Sequence, residues 1–386
     1  MKDIPYARQS ISQADIDAVV RVLGSDWLTQ GPAITQFEEA VAAHCGARHA
    51  SAVCNATAAL HLACRALDLG PGDRLWTSPN TFVASANCAL YCGASVDFVD
   101  IDPHTYNMSV DALEAKLVCA EKAGSLPRIV VAVHFGGQPC DMAAIGALAR
   151  RYGFAVIEDA SHAIGASDGG DAVGSCVHSD ITVFSFHPVK IMTTGEGGML
   201  LTNRAEIDAK AKLLRSHGIT RDPSQMDQAA HGPWYYQQTE LGYNYRMTDI
   251  QAALGLSQLG RLGEFIERRR ALAHNYNLLF AGMPMGLPCQ RPNAESAWHL
   301  YVVRIPGSGR RGRNEVFGKL REEGVMVNVH YIPVHTQPYY LKLGFKAGDF
   351  PEAERYYAEA ISLPMFFDLS ESDQARVAEQ LRNILA

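Results

Sequence analysis

The chain has 386 residues, 47% hydrophobic and 19% charged, enough for one large domain and a smaller one. No run reaches the ~18 consecutive apolar residues that a membrane span needs. A net charge of -7 with no basic block argues against nucleic acid or an anionic membrane as the main partner.

The start, "MKDIPYARQS", carries no apolar run of the secretory kind, so a cytoplasmic protein is expected. The nine cysteines form no C-x-x-C pair and sit mostly in apolar context. They read as reduced thiols, with no metal set, and Cys88 and Cys92 are spaced for packing on one helix face.

From residue 50 to 203, short apolar runs alternate with amphipathic stretches. "HASAVC" predicts a strand, "TAALHLACRAL" a helix, "RLWTS" a strand and "FVASANCALYCG" a helix. "SVDFVD" predicts a strand, and "VDALEAKL" a helix capped by Ser109. "RIVVAVHF", "FAVIED", "ITVFSF" and "GGMLLTN" predict strands, and "DMAAIGALARRYG" a helix. This alternation implies crossover units in an α/β fold with a mostly parallel sheet. Runs such as "IVVAV" imply burial on both faces.

The stretch from "MTDIQAALG" to "LLFAGM" predicts one long helix, with Gly255 and Gly260 marking a bend or close packing. Beyond it, "SAWHLYVVRIPG" and "VMVNVHYIP" predict strands, and "RNEVFGKLREEG" a helix. "FPEAERYYAEAISLP" predicts a helix and the start of a strand, and "SESDQARVAEQLRNIL" a capped final helix. The expected division is a large unit over 1–255 and a small α+β unit over 256–386, joined by the long helix.

In open α/β sheets, ligands bind outside the carboxyl ends of the strands. Four stretches fall there. Ala56 and Thr57 open a helix, so their N–H groups suit a phosphate, with the hydroxyls of Thr57 and Ser185 as further donors. Asp159 is a strand-end carboxylate that would need a cationic partner. Phe82 offers a flat face. Lys190 offers an amine that becomes nucleophilic if desolvated. Singly, each has a plainer reading: cap, turn, core or solvated side chain. Together they point to pyridoxal 5′-phosphate (PLP), which is a phosphate, a pyridinium, a flat ring and a carbonyl that takes a lysine.

The set "NATAALHLA", "EDASHAIGA", "FSFHPVKIMTTGEGG" and "GYNYRMTDIQAALG" resembles the DegT-type sugar-nucleotide aminotransferases of the fold-type I PLP enzymes. The resemblance runs from "WLTQGPAITQFEEAVA" to "VNVHYIPVHTQPYY". It implies a large, mixed, mostly parallel sheet domain with a small α+β domain. It further implies that Lys190 holds PLP and shuttles a proton, and that Asp159 keeps the ring nitrogen protonated. His162 would contact the ring hydroxyl, where many members have Gln. Phe82 would stack on the ring, and Ala56, Thr57 and Ser185 would hold the phosphate. Ala56 stands where the family usually has Gly. Asn244 would reach the cofactor of a neighbouring subunit, so a homodimer with a shared site is expected.

On the substrate side, Tyr6, Trp27, Thr29, Arg246, Asn328, His330 and Tyr331 resemble the family's nucleotide-sugar contacts. His330 reads equally as a satisfied core histidine. The motifs are most similar to the transaminases of pseudaminic acid biosynthesis. Those enzymes aminate C4 of a UDP-linked 4-keto-6-deoxy-N-acetylhexose with glutamate, which implies ping-pong kinetics. The alternative is amination of another nucleotide-linked 4-keto sugar, of the GDP-perosamine, lipid-A arabinose or dTDP/UDP type. A PLP-dependent sugar dehydratase would carry His at the Lys190 position. A non-catalytic sensor on the same fold would lack the Lys190–Asp159 pair. A hydride-transferring Rossmann enzyme would carry G-x-G-x-x-G after its first strand, which is missing here.

Overall fold

The alternating pattern becomes a seven-stranded sheet with helices on both faces. The computed structural model describes residues 3–307 and 311–385. Helices α1 (Gln13–Leu23) and α2 (Pro32–Cys45) lead into β1 (His49–Val53). Then α3 (Ala56–Ala66), β2 (Arg74–Thr77), α4 (Ala84–Tyr91), β3 (Ser95–Phe98), α5 (Val110–Ala123), β4 (Ile129–Val133), α6 (Met142–Tyr152) and β5 (Ala155–Asp159) alternate. A short pair, β6 (Ser167–Asp168) and β7 (Asp171–Ala172), precedes β8 (Ile181–Ser185) and β9 (Gly198–Thr202). Next come α7 (Ala205–Leu214), the ribbon of β10 (Ile219–Thr220) and β11 (Gln237–Gln238), α8 (Asp249–Leu259) and α9 (Leu262–Leu279). The chain closes with β12 (Ala294–Glu295), β13 (Tyr301–Arg304), α10 (Arg313–Glu322), α11 (Pro338–Leu341), α12 (Pro351–Glu359), β14 (Ala360–Leu363) and α13 (Glu371–Leu385).

The strand order is β1-β9-β8-β5-β4-β2-β3, and β9 alone runs against the others. The period of two along a strand explains the two-sided core. On β4, Ile129, Val131 and Val133 pack into the cluster beneath α3 and α4, while Val130 and Ala132 face the cluster beneath α5 and α6. Side-chain caps fix where helices start. Ser109 Oγ accepts from Ala112 N–H at 3.2 Å, and Thr248 with Gln251 forms a reciprocal capping box on α8. Such caps contribute about 1 kcal/mol each.

Three expectations are corrected. The single long helix is two helices, α8 and α9, broken at Gly260 and Arg261. Gly255 is a close-packing site: a Cβ there would lie 2.6 Å from the Phe37 ring and 2.7 Å from Thr194. The run "VMVNVHYIP" is coil with isolated bridges, Ile4 to Val325 and Asn328 to Ser362. Asn328 Oδ1 takes the next amide, Val329 N–H, at 2.9 Å, which offers the backbone an alternative to a ladder. The strand in "SAWHLYVVRIPG" shortens to β13, because Ala297 and Leu300 give their N–H groups to Gly137 and Gly136 instead.

The small antiparallel pair β13–β14 packs with α9, α10 and α13 around Leu272, Tyr276, Val316, Leu320, Val377 and Leu381. Ile4 joins this cluster, and α8 packs on α1 and α2. Arg269 of α9 is buried and has no carboxylate partner among the described residues. Its Nη1 instead donates to the carbonyls of Trp298, His299 and Met365 at 3.1, 3.3 and 3.1 Å. All nine cysteines are free thiols; Cys119 and Cys289 are exposed, and Cys88 and Cys92 pack with Cys64. No described helix is long and apolar enough to cross a membrane.

Candidate active site

The carboxyl ends of β1, β2, β4, β5 and β8 face one cavity of about 450 Å³. The first four strand-end turns supply Asn55–Thr57, Thr81–Phe82, Val133 and Asp159, and β8 supplies Ser185 with the turn to Lys190. The opposite wall is Tyr6, His299, His330 and Tyr331.

At one end, Asn55 caps α3 by accepting from Ala58 N–H at 2.8 Å. This leaves the first amides of the helix, at Ala56 and Thr57, without intrahelical acceptors. Gly198 of β9 lies under the turn: a Cβ there would sit 2.6 Å from Ala56 N. Ser185 pairs with Gly198 across β8 and β9, so its hydroxyl belongs to the same corner. Free amides, a helix N-terminus and hydroxyls make an anion site.

Asp159 lies nearly buried at the tip of β5, 6% exposed. Ser85 Oγ–H donates to Oδ2 at 2.6 Å and Ser161 N–H donates to Oδ1 at 3.1 Å. No ion pair to it forms among the described residues, so a carboxylate is held ready for a cation supplied from outside the chain. Lys190 follows β8, its N–H bonded to His187 O at 2.9 Å. Burial pulls its amine down to about 8, against the opposing pull of Asp159. That puts a usable fraction of free amine near neutral pH.

Phe82 turns its ring into the cavity, 58% exposed. His162 is buried. Its Nδ1 accepts from Gly136 N–H at 3.3 Å, and its Nε2 lies 3.2 Å from the Tyr331 hydroxyl. Its ring packs on His299 at 4.4 Å. Burial, with Lys190 nearby, holds His162 well below the usual imidazole range and His330 at about 3. His330 Nδ1 is 2.8 Å from Ser362 Oγ. Asn328 Oδ1 is already an acceptor, so Nδ2 donates to His330 Nε2 at 3.4 Å.

Ten of the residues singled out in the sequence therefore line this cavity: Ala56, Thr57, Phe82, Asp159, His162, Ser185, Lys190, Tyr6, His330 and Tyr331. The others lie elsewhere. Asn244 is exposed and bridges Ser216; Thr29 bridges Thr248; Trp27 is 55% exposed. Arg246 bridges Val53 and lines a separate concavity with Arg215. Asn328 stands behind His330.

Residues 9–382 match the DegT/DnrJ/EryC1/StrS aminotransferase family. The chain belongs to this family. It is 42% identical to the spore coat polysaccharide biosynthesis protein SpsC of Bacillus subtilis (strain 168), covering 99% of this chain and 97% of that one. Its structure is similar to PseC of Helicobacter pylori, an aminotransferase involved in the biosynthesis of pseudoaminic acid. That pair has a TM-score of 0.91 and 29% identity, with 100% and 99% of the two chains covered. It is also similar to a putative sugar aminotransferase of Streptococcus pneumoniae in its PMP form. There the TM-score is 0.90 and the identity 29%, over 99% of each chain.

The protein is thus a fold-type I, PLP-dependent sugar aminotransferase. The cavity fits the cofactor on its own terms. An anion corner lies at Ala56, Thr57 and Ser185, an unpaired buried carboxylate at Asp159, an amine at Lys190 and a bare ring face at Phe82. Ser85, Ser161, Gly198 and His299 escaped the sequence reading. Ser85 and Ser161 each lie within three residues of a named site residue, which is a usable signal. His299 in "AWHLY" carries none.

Proposed function

We propose that the enzyme transfers the amino group of glutamate to C4 of a UDP-linked 4-keto-6-deoxy-N-acetylhexosamine, as in pseudaminic acid biosynthesis, and that it does so in the cytoplasm. One observation carries the sugar half of this reading. Lys190 is the single lysine or arginine among the cavity-lining residues, and the wall opposite it is neutral and hydrogen-bonding: Tyr6, His299, His330 and Tyr331. Such a wall suits the hydroxyl, keto and acetamido groups of a sugar. Likeness to the Helicobacter enzyme supports the choice of pathway.

The cofactor supplies a carbonyl that carries the amine and a ring that stores an electron pair. The chain's part is positional and acid–base. Ala56, Thr57 and Ser185 hold the phosphate. Asp159, fixed by Ser85 and Ser161, keeps the ring nitrogen protonated. Phe82 would cover one ring face, and His162 would stand on the ring-hydroxyl side. Lys190, partly deprotonated, moves the proton at the substrate carbon. Tyr6, His330 and Tyr331 would contact the sugar, with Asn328 supporting His330 from behind. A homodimer completes the site: Asn244 reaches the other copy's phosphate, and Arg246, with Trp27 and Thr29, serves the nucleotide. Arg246 lines a concavity of about 210 Å³ where its guanidinium would suit a diphosphate, whereas the neighbouring Arg215 is already held by Glu38 and Ala52 O.

Identity of 42% to SpsC favours a second reading, amination of another nucleotide-linked 4-keto sugar of a surface polysaccharide. Incubation with glutamate and a panel of UDP-, GDP- and dTDP-linked 4-keto sugars, read by mass, separates the two. Amination of the UDP-N-acetyl substrate above all others is expected. Preference for a GDP- or dTDP-sugar overturns the first reading.

A further inference from the structure

The sequence "HFGG" (134–137) follows β4 and has no role in the catalytic set above. Gly136 and Gly137 both adopt left-handed backbone, at φ +65° and +102°. A Cβ on Gly137 would fall 2.9 Å from His162 O, Trp298 N and His299 N. Only glycine lets this turn slide between the end of the large sheet and the segment ahead of β13. The turn then bonds both ways. Gly136 N–H donates to His162 Nδ1 at 3.3 Å. Gly136 O and Gly137 O accept from Leu300 and Ala297 N–H at 3.1 and 3.0 Å.

A ring nitrogen that accepts from an amide carries no proton. Burial keeps His162 neutral, so its one proton is on Nε2. Nε2 faces the Tyr331 hydroxyl at 3.2 Å, so His162 donates and the tyrosine oxygen accepts. Burial also holds the Tyr331 phenol well above its usual range, and it stays protonated. That proton has no acceptor in the wall among the described hydrogen bonds, and Tyr331 lines the cavity. The ionisable neighbours there are Tyr6, Asp159, His187, Lys190, Glu196, His299 and His330. The pair lines the same cavity as Lys190 and Asp159, on the β4 side of β5, away from the Ala56–Ser185 corner. A ring held with its phosphate at that corner and its nitrogen at Asp159 would carry its ring oxygen on the opposite edge, toward His162 and Tyr331.

We infer that the Tyr331 hydroxyl is the donor to the cofactor's ring oxygen, and that His162 is a positioning residue acting through Tyr331, its tautomer fixed by Gly136 N–H. This reassigns two side chains within the PLP site and rests on the cofactor being held by Lys190.

A donor to the ring oxygen competes with the proton on the Lys190–cofactor nitrogen for that oxygen. Losing the donor therefore raises the pH midpoint of the bound cofactor's absorption band. Titration of the band in Tyr331→Phe should show a rise of about one pH unit. His162→Leu should raise it by the same amount or less, and His162→Gln, which still accepts and donates, should restore most of it. The Tyr331→Phe/His162→Leu pair should shift no further than Tyr331→Phe alone. An unmoved midpoint in Tyr331→Phe, or shifts that add, overturns the relay. A wild type with no band on adding PLP removes the Lys190 reading itself. In cofactor-free wild type, ¹⁵N-histidine spectra should show His162 neutral and protonated on Nε2. Protonation on Nδ1 overturns the inference whether or not the variants fold.

Discussion

The two walls of the cavity are built by different means. On one side, side chains project from the ends of hydrogen-bonded strands: Asp159 from β5 and Ser185 from β8, with Lys190 one turn beyond. Their spacing is set by strand register and by the ~4.8 Å between neighbouring strands. On the other side, His299, His330 and Tyr331 come from coil, placed by single bonds such as His330 Nδ1 to Ser362 Oγ and Tyr356 Oη–H to His330 O at 2.8 Å. In the proposed function, the sheet side would hold the groups that serve the cofactor, and the coil side the groups that meet the sugar.

Substitutions on the strand side should therefore disable both half-reactions. Lys190→Ala should abolish the cofactor band and lower the amination rate by up to about 10⁴-fold, the upper end for a lost proton-transfer group; retained turnover would break the assignment. Asp159→Asn should leave the band in place and cost about 10²–10³ in kcat in both half-reactions. A loss confined to one half-reaction would contradict its placement at the shared end.

Acid should act on the buried histidines around the cavity, two of them on the coil wall. His162, His299 and His330 are all held below the ordinary imidazole value by burial. Below about pH 6.5 the unfolded chain binds protons that the folded one refuses. Stability is then full above that pH and falls beneath it, by up to about 1.4 kcal/mol per ring per pH unit. Urea midpoints between pH 7 and 5 should show this slope. Replacing His299 and His330 with Gln should remove most of it; an unchanged slope would place the titrating groups elsewhere. The smallest effect is expected for His330→Gln. KM for the nucleotide sugar should rise about tenfold, one hydrogen bond's worth, while the glutamate half-reaction stays intact. Equal damage to both would erase the distinction between the walls.

The same contrast decides what the sequence discloses. β1 to β5, β8 and β9 are legible because continuous apolar runs bounded by Gly, Asp and Asn leave few other readings. Lys190 and Asp159 follow because strand ends face ligands. The run holding His330 looks like a strand by alternation, yet Asn328 takes its own chain's next amide and Ala297 and Leu300 bond to the Gly136–Gly137 turn. Such choices depend on contacts distant in sequence. Helix α7 is short and charged, and "AEIDAKAKLL" offers only Ile207, Ala211 and Leu214 as a buried apolar face. The break between α8 and α9 was blurred by two glycines with different jobs, Gly255 packing and Gly260 ending.

Arg269 grips the segment ahead of β13 only through carbonyl oxygens, and the Gly136–Gly137 turn grips it only through amides. Neither anchor reads the side chains it holds. The side chains themselves are fixed by packing: Ala297, Trp298 and Leu300 are buried in three separate hydrophobic clusters, and of the four only His299 lines the large cavity. Position 299 is therefore the place in this segment where a new side chain would meet the bound molecule, with the anchors on either side left in place.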